Sequence, residues 1–166
     1  MYTHAVRAPS IRLARPADLA AIATVHTASV RHLCAGHYSP QAIDQWLAPN
    51  SGLYERMLRS STVFVAERAG EVVAFAAVRL ATREVRALYV RPDAKGGGLG
   101  LRLMQRLERV ARAFGMVELR LWATLNAVGF YERLGWRRDA RQSGKRPPQR
   151  CVAMRKRVGG ALREDR

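Results

Sequence analysis

The stretch "VRALYVRPDAKGGGLGLRLMQRLERVARAF" (residues 85–114) carries the most information in this chain. An apolar run breaks at Arg91-Pro92-Asp93. Glycines then stand at 96, 97, 98 and 100, and an amphipathic pattern follows at once. A glycine-rich loop between a strand and a helix presents backbone N–H groups at the helix N-terminus, where the helix dipole also favours negative charge. Missing side chains let an anion as large as a pyrophosphate lie against the backbone. Two well-known phosphate loops do not fit. A P-loop closes on Gly-Lys-Ser/Thr, whereas Lys95 precedes these glycines and no Ser or Thr follows. A dinucleotide fingerprint needs G-x-G-x-x-G, and the position after Gly98 and Gly100 is Leu103. The competing reading is a flexible surface turn. The strand before the loop and the helix after it weigh against that.

Downstream, Leu99, Leu103, Leu107, Val110, Ala111 and Phe114 form one helical stripe. Arg102, Arg106, Glu108, Arg109 and Arg112 fall mostly away from it. Upstream, "EVRALYV" (84–90) is a strand, and on period-two alternation residues 84, 86, 88 and 90 share a face. "TVFVAE" and "EVVAFAAVRL" are strands joined through Arg68-Ala69-Gly70. "IRLA" (11–14) is a first strand, and Pro16 suits the first turn of a helix whose Leu19, Ile22, Ala23, His26 and Val30 share a face. Ser39 and Pro40 read as N-cap and first position of a second helix, and a third lies around Gly52–Arg59. "MVELRLWA" is a further strand, "NAVGFYERLGW" a short helix ended by Gly135, and "CVAMRKRV" a last strand after a polar loop at 141–149. This order predicts an α/β (α+β) sandwich on a mixed sheet.

The length of 166 residues suits a single domain, with a core at about 11–158 and loose ends at 1–10 and 159–166. Hydrophobic residues at 48% and charged ones at 25% fit a soluble globular class. No apolar run is long enough to cross a bilayer, and Met1 to Ser10 lacks the apolar core of a signal peptide. Cys34 and Cys151 make no disulfide framework, so a reducing cytoplasm is the expected compartment. The formal net charge of +16 would suit a nucleic-acid partner. Yet lysine appears only at 95, 145 and 156, and the arginines are spread along an alanine-rich chain apart from the dense segment Arg137 to Arg157. That skew can reflect a GC-rich genome, and a phosphate-bearing cofactor would also benefit from positive potential. Nucleic acid is therefore not the expected partner.

The loop resembles that of the GNAT superfamily of N-acetyltransferases, Arg/Gln-x-x-Gly-x-Gly/Ala, with Lys95, Gly98 and Gly100 on the motif positions. A second match is "LNAVGFYERLGW" (125–136), which is similar to the family's Asn-to-Phe-Tyr-x-x-Leu-Gly-Phe/Trp segment. The resemblance covers roughly 11–158. It implies a mostly antiparallel central sheet flanked by helices and splayed between strands four and five. It implies an enzyme, of bacterial type, that uses acetyl-CoA and no metal to acetylate a primary amine by direct transfer. It also implies that loop amides across Lys95, Gly96, Gly97, Gly98, Leu99, Gly100 and Leu101 hold the pyrophosphate. Leu88, Tyr89 and Val90 would pair with the pantetheine arm, Asn126 would lie near that arm, and Tyr131 beside the sulfur. Lys95 departs from the usual Arg/Gln, keeping the charge and losing the planar fork.

Acetyl transfer requires an amine to lose a proton from an ammonium of pKa about 10. It also requires a donor for the forming oxyanion and a proton source for the thiolate. Tyr131 is the expected acid, with a packed core tyrosine as the alternative. Glu84, six residues before Val90, is the candidate base, set against a strand-edge carboxylate paired with Arg83 or Arg86. His32, His37, Tyr38 and Trp46 fall in the helix-loop-helix region that walls the acceptor cleft in such enzymes. There aromatic rings can hold an amine, or Trp46 can simply pack. Cys34 and His37 make C-x-x-H without a second pair for zinc. Three functions follow: a small-molecule amine acetyltransferase, an acetyltransferase for a protein or tRNA-linked amine motivated by 137–157, and a non-catalytic acyl-CoA sensor. A homodimer is left open.

Overall fold

The computed structural model describes residues 8–141 and 150–159. Most of the two expected loose ends, and all of the polar 141–149 loop beyond Arg141, lie outside these residues. Among these residues seven strands and five α-helices follow in order: β1 (Ser10–Leu13), α1 (Leu19–Leu33), α2 (Pro40–Trp46), α3 (Leu53–Ser60), β2 (Thr62–Arg68), β3 (Glu71–Arg79), β4 (Glu84–Val90), α4 (Leu99–Ala113), β5 (Glu118–Thr124), α5 (Val128–Arg133), β6 (Arg137–Arg138) and β7 (Cys151–Arg157). Ser10 already belongs to the sheet, one residue earlier than the sequence suggests. Only the two-residue β6 has no counterpart in the sequence reading, being too short to show a period.

The strands form one sheet in the order β1-β2-β3-β4-β5-β7-β6. Every neighbouring pair is antiparallel except β4 and β5. Those two are parallel and register only at Glu84↔Arg120 and Val85↔Leu121. Beyond Val85 they part, so the sheet opens into a V along the rest of β4.

Helices cover both faces, which is why β2 and β3 read as continuous apolar runs rather than alternating ones. On one face Leu99, Leu103 and Leu107 of α4 and Tyr131 of α5 pack against Phe64, Ala76, Leu119 and Met154. On the other, Ile22 and Val25 of α1 pack against Val65, Phe75 and Ala77. A satellite cluster of Val30, Cys34 and Ile43 joins α1 to α2. The expected α4 stripe holds with two changes. Phe114 caps the helix at 69% exposure. Glu108 is buried and accepts a 2.8 Å hydrogen bond from Lys156 Nζ on β7, so a carboxylate sits on the core side because a cation meets it there.

The face expected for Glu84 needs correction. Ala77 pairs with Ala87 but Val78 pairs with Val85, so Arg86 is the extra residue of a β-bulge. The bulge shifts the alternation. Val85, Leu88 and Val90 face the α4 side, whereas Ala87 and Tyr89 face the α1 side. Glu84 lines a cavity with Ala87, Tyr89 and His26, so it does not share a face with Leu88 and Val90.

Candidate functional site

Asp93 braces the end of β4. Arg91 donates to it at 2.6 and 2.9 Å and Arg68 at 2.9 Å, and Arg91 also reaches Glu71 at 3.2 Å. These guanidinium hydrogen bonds hold the Asp93 carboxyl below its usual range. Ser29 Oγ of α1 donates to the Val90 carbonyl at 2.8 Å and fixes the last residue of the strand from the opposite side. The chain then enters the glycine loop.

Gly96 and Gly98 adopt positive φ, 93° and 70°, and Gly98 is the N-cap of α4. A Cβ built on Gly98 would meet nothing within 4 Å, whereas one on Gly100 would meet Phe130 at 3.3 Å. The two glycines therefore have different causes. Gly98 serves backbone conformation and faces open space, and Gly100 serves close helix–helix packing. The first intrahelical bond comes from the Arg102 amide to the Gly98 carbonyl. Among the described residues, the successive amides from Gly96 to Leu101 have no acceptor. They can hold an anion at the positive end of a helix of 15 residues. Lys95 and Arg133 line the same cavity, and neither forms an ion pair among the described residues.

That cavity has a volume of about 550 Å³ and runs from the loop into the V. Leu88, Tyr89, Val90, Lys95, Gly96, Gly98, Leu99, Gly100, Leu101, Asn126 and Tyr131 all line it. Gly97 does not. Tyr131 is 7% exposed, packed edge-on against Phe130 and Trp136, and burial pushes its phenol well above the ordinary value. It is a proton donor throughout the neutral range. Asn126 Oδ1 accepts from Cys34 Sγ at 3.4 Å, and burial pushes that thiol up to about 11, so it stays protonated.

A second cavity of about 390 Å³ lies on the α1 side of the V. Trp46 and Glu84 line it. Glu84 is buried and accepts a 3.1 Å hydrogen bond from Arg86 across the bulge, as the ion-pair alternative anticipated. The residue that sequence reasoning missed here is His26. It sits 7% exposed among the rings of Trp46, Tyr54 and Tyr89, with Nδ1 2.8 Å from the Tyr54 hydroxyl. Burial pushes it down to about 4. It is a neutral hydrogen-bonding ring and a weak base. A lone polar residue on the apolar face of α1 was its only signal.

The other acceptor-wall candidates separate. His32 is exposed on α1 and lines neither cavity. His37 lines the first. Tyr38 lines neither, yet its hydroxyl donates to the Arg150 carbonyl at 2.6 Å and accepts from the Leu125 amide at 2.9 Å. It ties the loop before α2 to the end of β5 and the start of β7. The two cavities meet at β4 and β5, sharing Val85, Arg86, Ala87, Tyr89, Trp122 and Thr124.

The sheet is mixed and opens between its two parallel strands, with a loop of free amides at one side of the opening. Residues 34–158 match the family described as an acetyltransferase (GNAT) domain, and the chain belongs to that family. Its fold superposes with a TM-score of 0.83 on a GCN5-related N-acetyltransferase from Rhodopseudomonas palustris, at 26% identity over 94% of this chain and 99% of that one. It superposes with a TM-score of 0.76 on the PaiA N-acetyltransferase of Thermoplasma acidophilum in complex with coenzyme A, a likeness of fold at 22% identity over 90% and 98% of the two chains. A stretch of 61 residues is 43% identical to an IAA acetyltransferase of Azospirillum brasilense, and it spans 34% of this chain and 40% of that protein. Among the described residues no helix is long and apolar enough to cross a membrane.

Proposed function

We propose that the protein transfers an acetyl group from acetyl-CoA to the primary amine of a small molecule, directly, in a ternary complex. The observation that carries this reading is the junction of the two cavities along β4. One side offers free amides, Lys95 and a protonated tyrosine, and the other offers an aromatic pocket with a carboxylate at its end. A coenzyme with its pyrophosphate on the Gly96–Leu101 amides would extend its thioester arm along Leu88–Val90. From Arg86 onward β4 has no β5 partner, so backbone N–H groups there are available to an oxyanion.

The amine attacks the thioester carbon, a C–N bond forms and the C–S bond breaks. The amine's proton leaves through water, which can pass it along the second cavity towards Glu84. Tyr131 donates its hydroxyl proton to the departing thiolate in a hydrogen bond. Because burial raises the phenol above a thiol of about 8.5, full transfer is uphill and the tyrosine acts chiefly as a donor.

The basic segment that motivated a macromolecular acceptor falls partly on residues outside the described ones. Of its described members, Arg138 pairs with Glu132, Arg141 with Asp139 and Arg155 with Glu118, so much of its charge is already committed. The test is thiol release from acetyl-CoA with a panel of primary amines and with denatured protein as acceptor. Release with small amines supports the proposal. Release only with the polypeptide favours the macromolecular reading, and coenzyme binding without release favours a sensor.

A further inference from the structure

The second cavity has two unlike ends. Near the mouth of the V it is ringed by His26, Trp46, Tyr54 and Tyr89. At the opposite end, where β3 finishes and β4 begins, it is lined by Ser60, Ser61, Arg79, Glu84 and Arg86. Glu84 and Tyr89 are five residues apart on β4, which is roughly 15 Å of strand. An acceptor that reaches from the thioester to this far end must carry a polar group there.

The charges at that end are unequal. Arg86 holds Glu84 at 3.1 Å. Arg56, on the rim, is committed to the Ser51 carbonyl at 2.6 Å and Asn50 Oδ1 at 2.8 Å. Arg79 donates from one Nη to Ser60 Oγ at 2.7 Å. It forms no ion pair among the described residues, although Glu84 faces it in register. Its Nε and the neighbouring Ser61 Oγ are buried with no hydrogen-bond partner among those residues. A buried guanidinium donor beside a buried hydroxyl, both unpaired, calls for an acceptor that the protein itself does not supply. Carboxylate geometry matches the guanidinium fork.

We propose that the acceptor is an amino acid in the broad sense: a primary amine joined by an apolar or aromatic body to a carboxylate, with Arg79 as the residue that reads the carboxylate. The assignment rests on the acetyl-transfer reading in taking this cavity as the acceptor side. Ser61 supplies a second donor to the same anion, and the rings hold the body between the two ends.

The test uses para-(aminoethyl)benzoate and its carboxamide, which differ only in the far group. Binding to the full chain is followed by the fluorescence of Trp46 and Trp122, both in the cavity wall, and turnover by thiol release. The wild-type protein is expected to bind the carboxylate about tenfold more tightly or better. Arg79→Gln should bring the ratio near one, and Arg79→Lys should keep part of the preference. Equal binding of the two probes by the wild type, or an unchanged ratio in Arg79→Gln, would overturn the proposal. If Arg79→Gln does not fold, the wild-type ratio and the Lys variant decide. Carboxylate-selective binding without thiol release would sustain this assignment and sink acetyl transfer, and equal transfer to both probes would do the reverse.

Discussion

Gly98 and Tyr131 each have a single physical job that one substitution can remove. Gly98 holds φ at 70° where an added Cβ meets open space, so an aspartate there adds modest strain and a negative charge beside the free amides. Even in partly screened surroundings, like charges a few ångströms apart oppose each other by more than 1 kcal/mol. Gly98→Asp should weaken acetyl-CoA binding at least about tenfold while the protein stays folded. Calorimetric affinity equal to wild type in a folded variant would show that the loop does not carry the pyrophosphate. Tyr131→Phe keeps the ring between Phe130 and Trp136 and loses only the donor. Turnover should fall by about 10²-fold or more, the usual reach of acid–base assistance, with coenzyme affinity near wild type. Wild-type turnover measured where chemistry limits the rate would remove the hydroxyl from the mechanism.

At the scale of elements, α1 is docked by more than its apolar face. Ser29 reaches across to β4, and His26 joins α1 to Tyr54 of α3. The histidine makes this contact sensitive to acid. Its folded value of about 4 lies below the unfolded value near 6.5, so the unfolded chain takes up the proton first. The associated stability is fully present above about pH 6.5 and is lost as pH falls towards 4, by roughly 3 kcal/mol in all. Denaturant unfolding at pH 7.5 and 4.5 should therefore show a smaller loss for His26→Gln than for wild type. Equal losses would mean that other groups set the acid sensitivity.

For the molecule as a whole, the sheet's division into two faces decides which ligand a substitution touches. Trp46, the last residue of α2, packs on the satellite cluster and also lines the second cavity. Trp46→Ala should raise the acceptor KM several-fold and leave acetyl-CoA affinity nearly intact, because Trp46 does not line the cavity that runs from the glycine loop. Truncating a partly buried aromatic also costs packing, so the melting temperature will drop. Equal damage to both ligands would show that Trp46 acts through the fold rather than through the cleft.

The glycine loop and the helix after it were legible in the chain because they are local. Glycines that relieve positive φ, an N-terminus and an amphipathic α4 lie within one contiguous segment, and periodicity and residue type are enough to read them. For Tyr131 the sequence left a proton donor and a packed core tyrosine as alternatives, and the structure shows a buried ring that also lines the cavity. The second cavity is non-local, and there the tertiary structure decided. The bulge at Arg86 exists because β4 pairs with β3, and that pairing, rather than the period of "EVRALYV", sends Glu84 to the α1 face. His26 and Arg79 gain meaning only when α1, α3 and the β3–β4 turn close around one space. Tyr38 and His32 come from the same region of sequence, yet one pins Leu125 and Arg150 while the other faces solvent. Patterns along a chain report which faces are apolar. They do not report which distant segments meet, since that is set by strand register and helix docking.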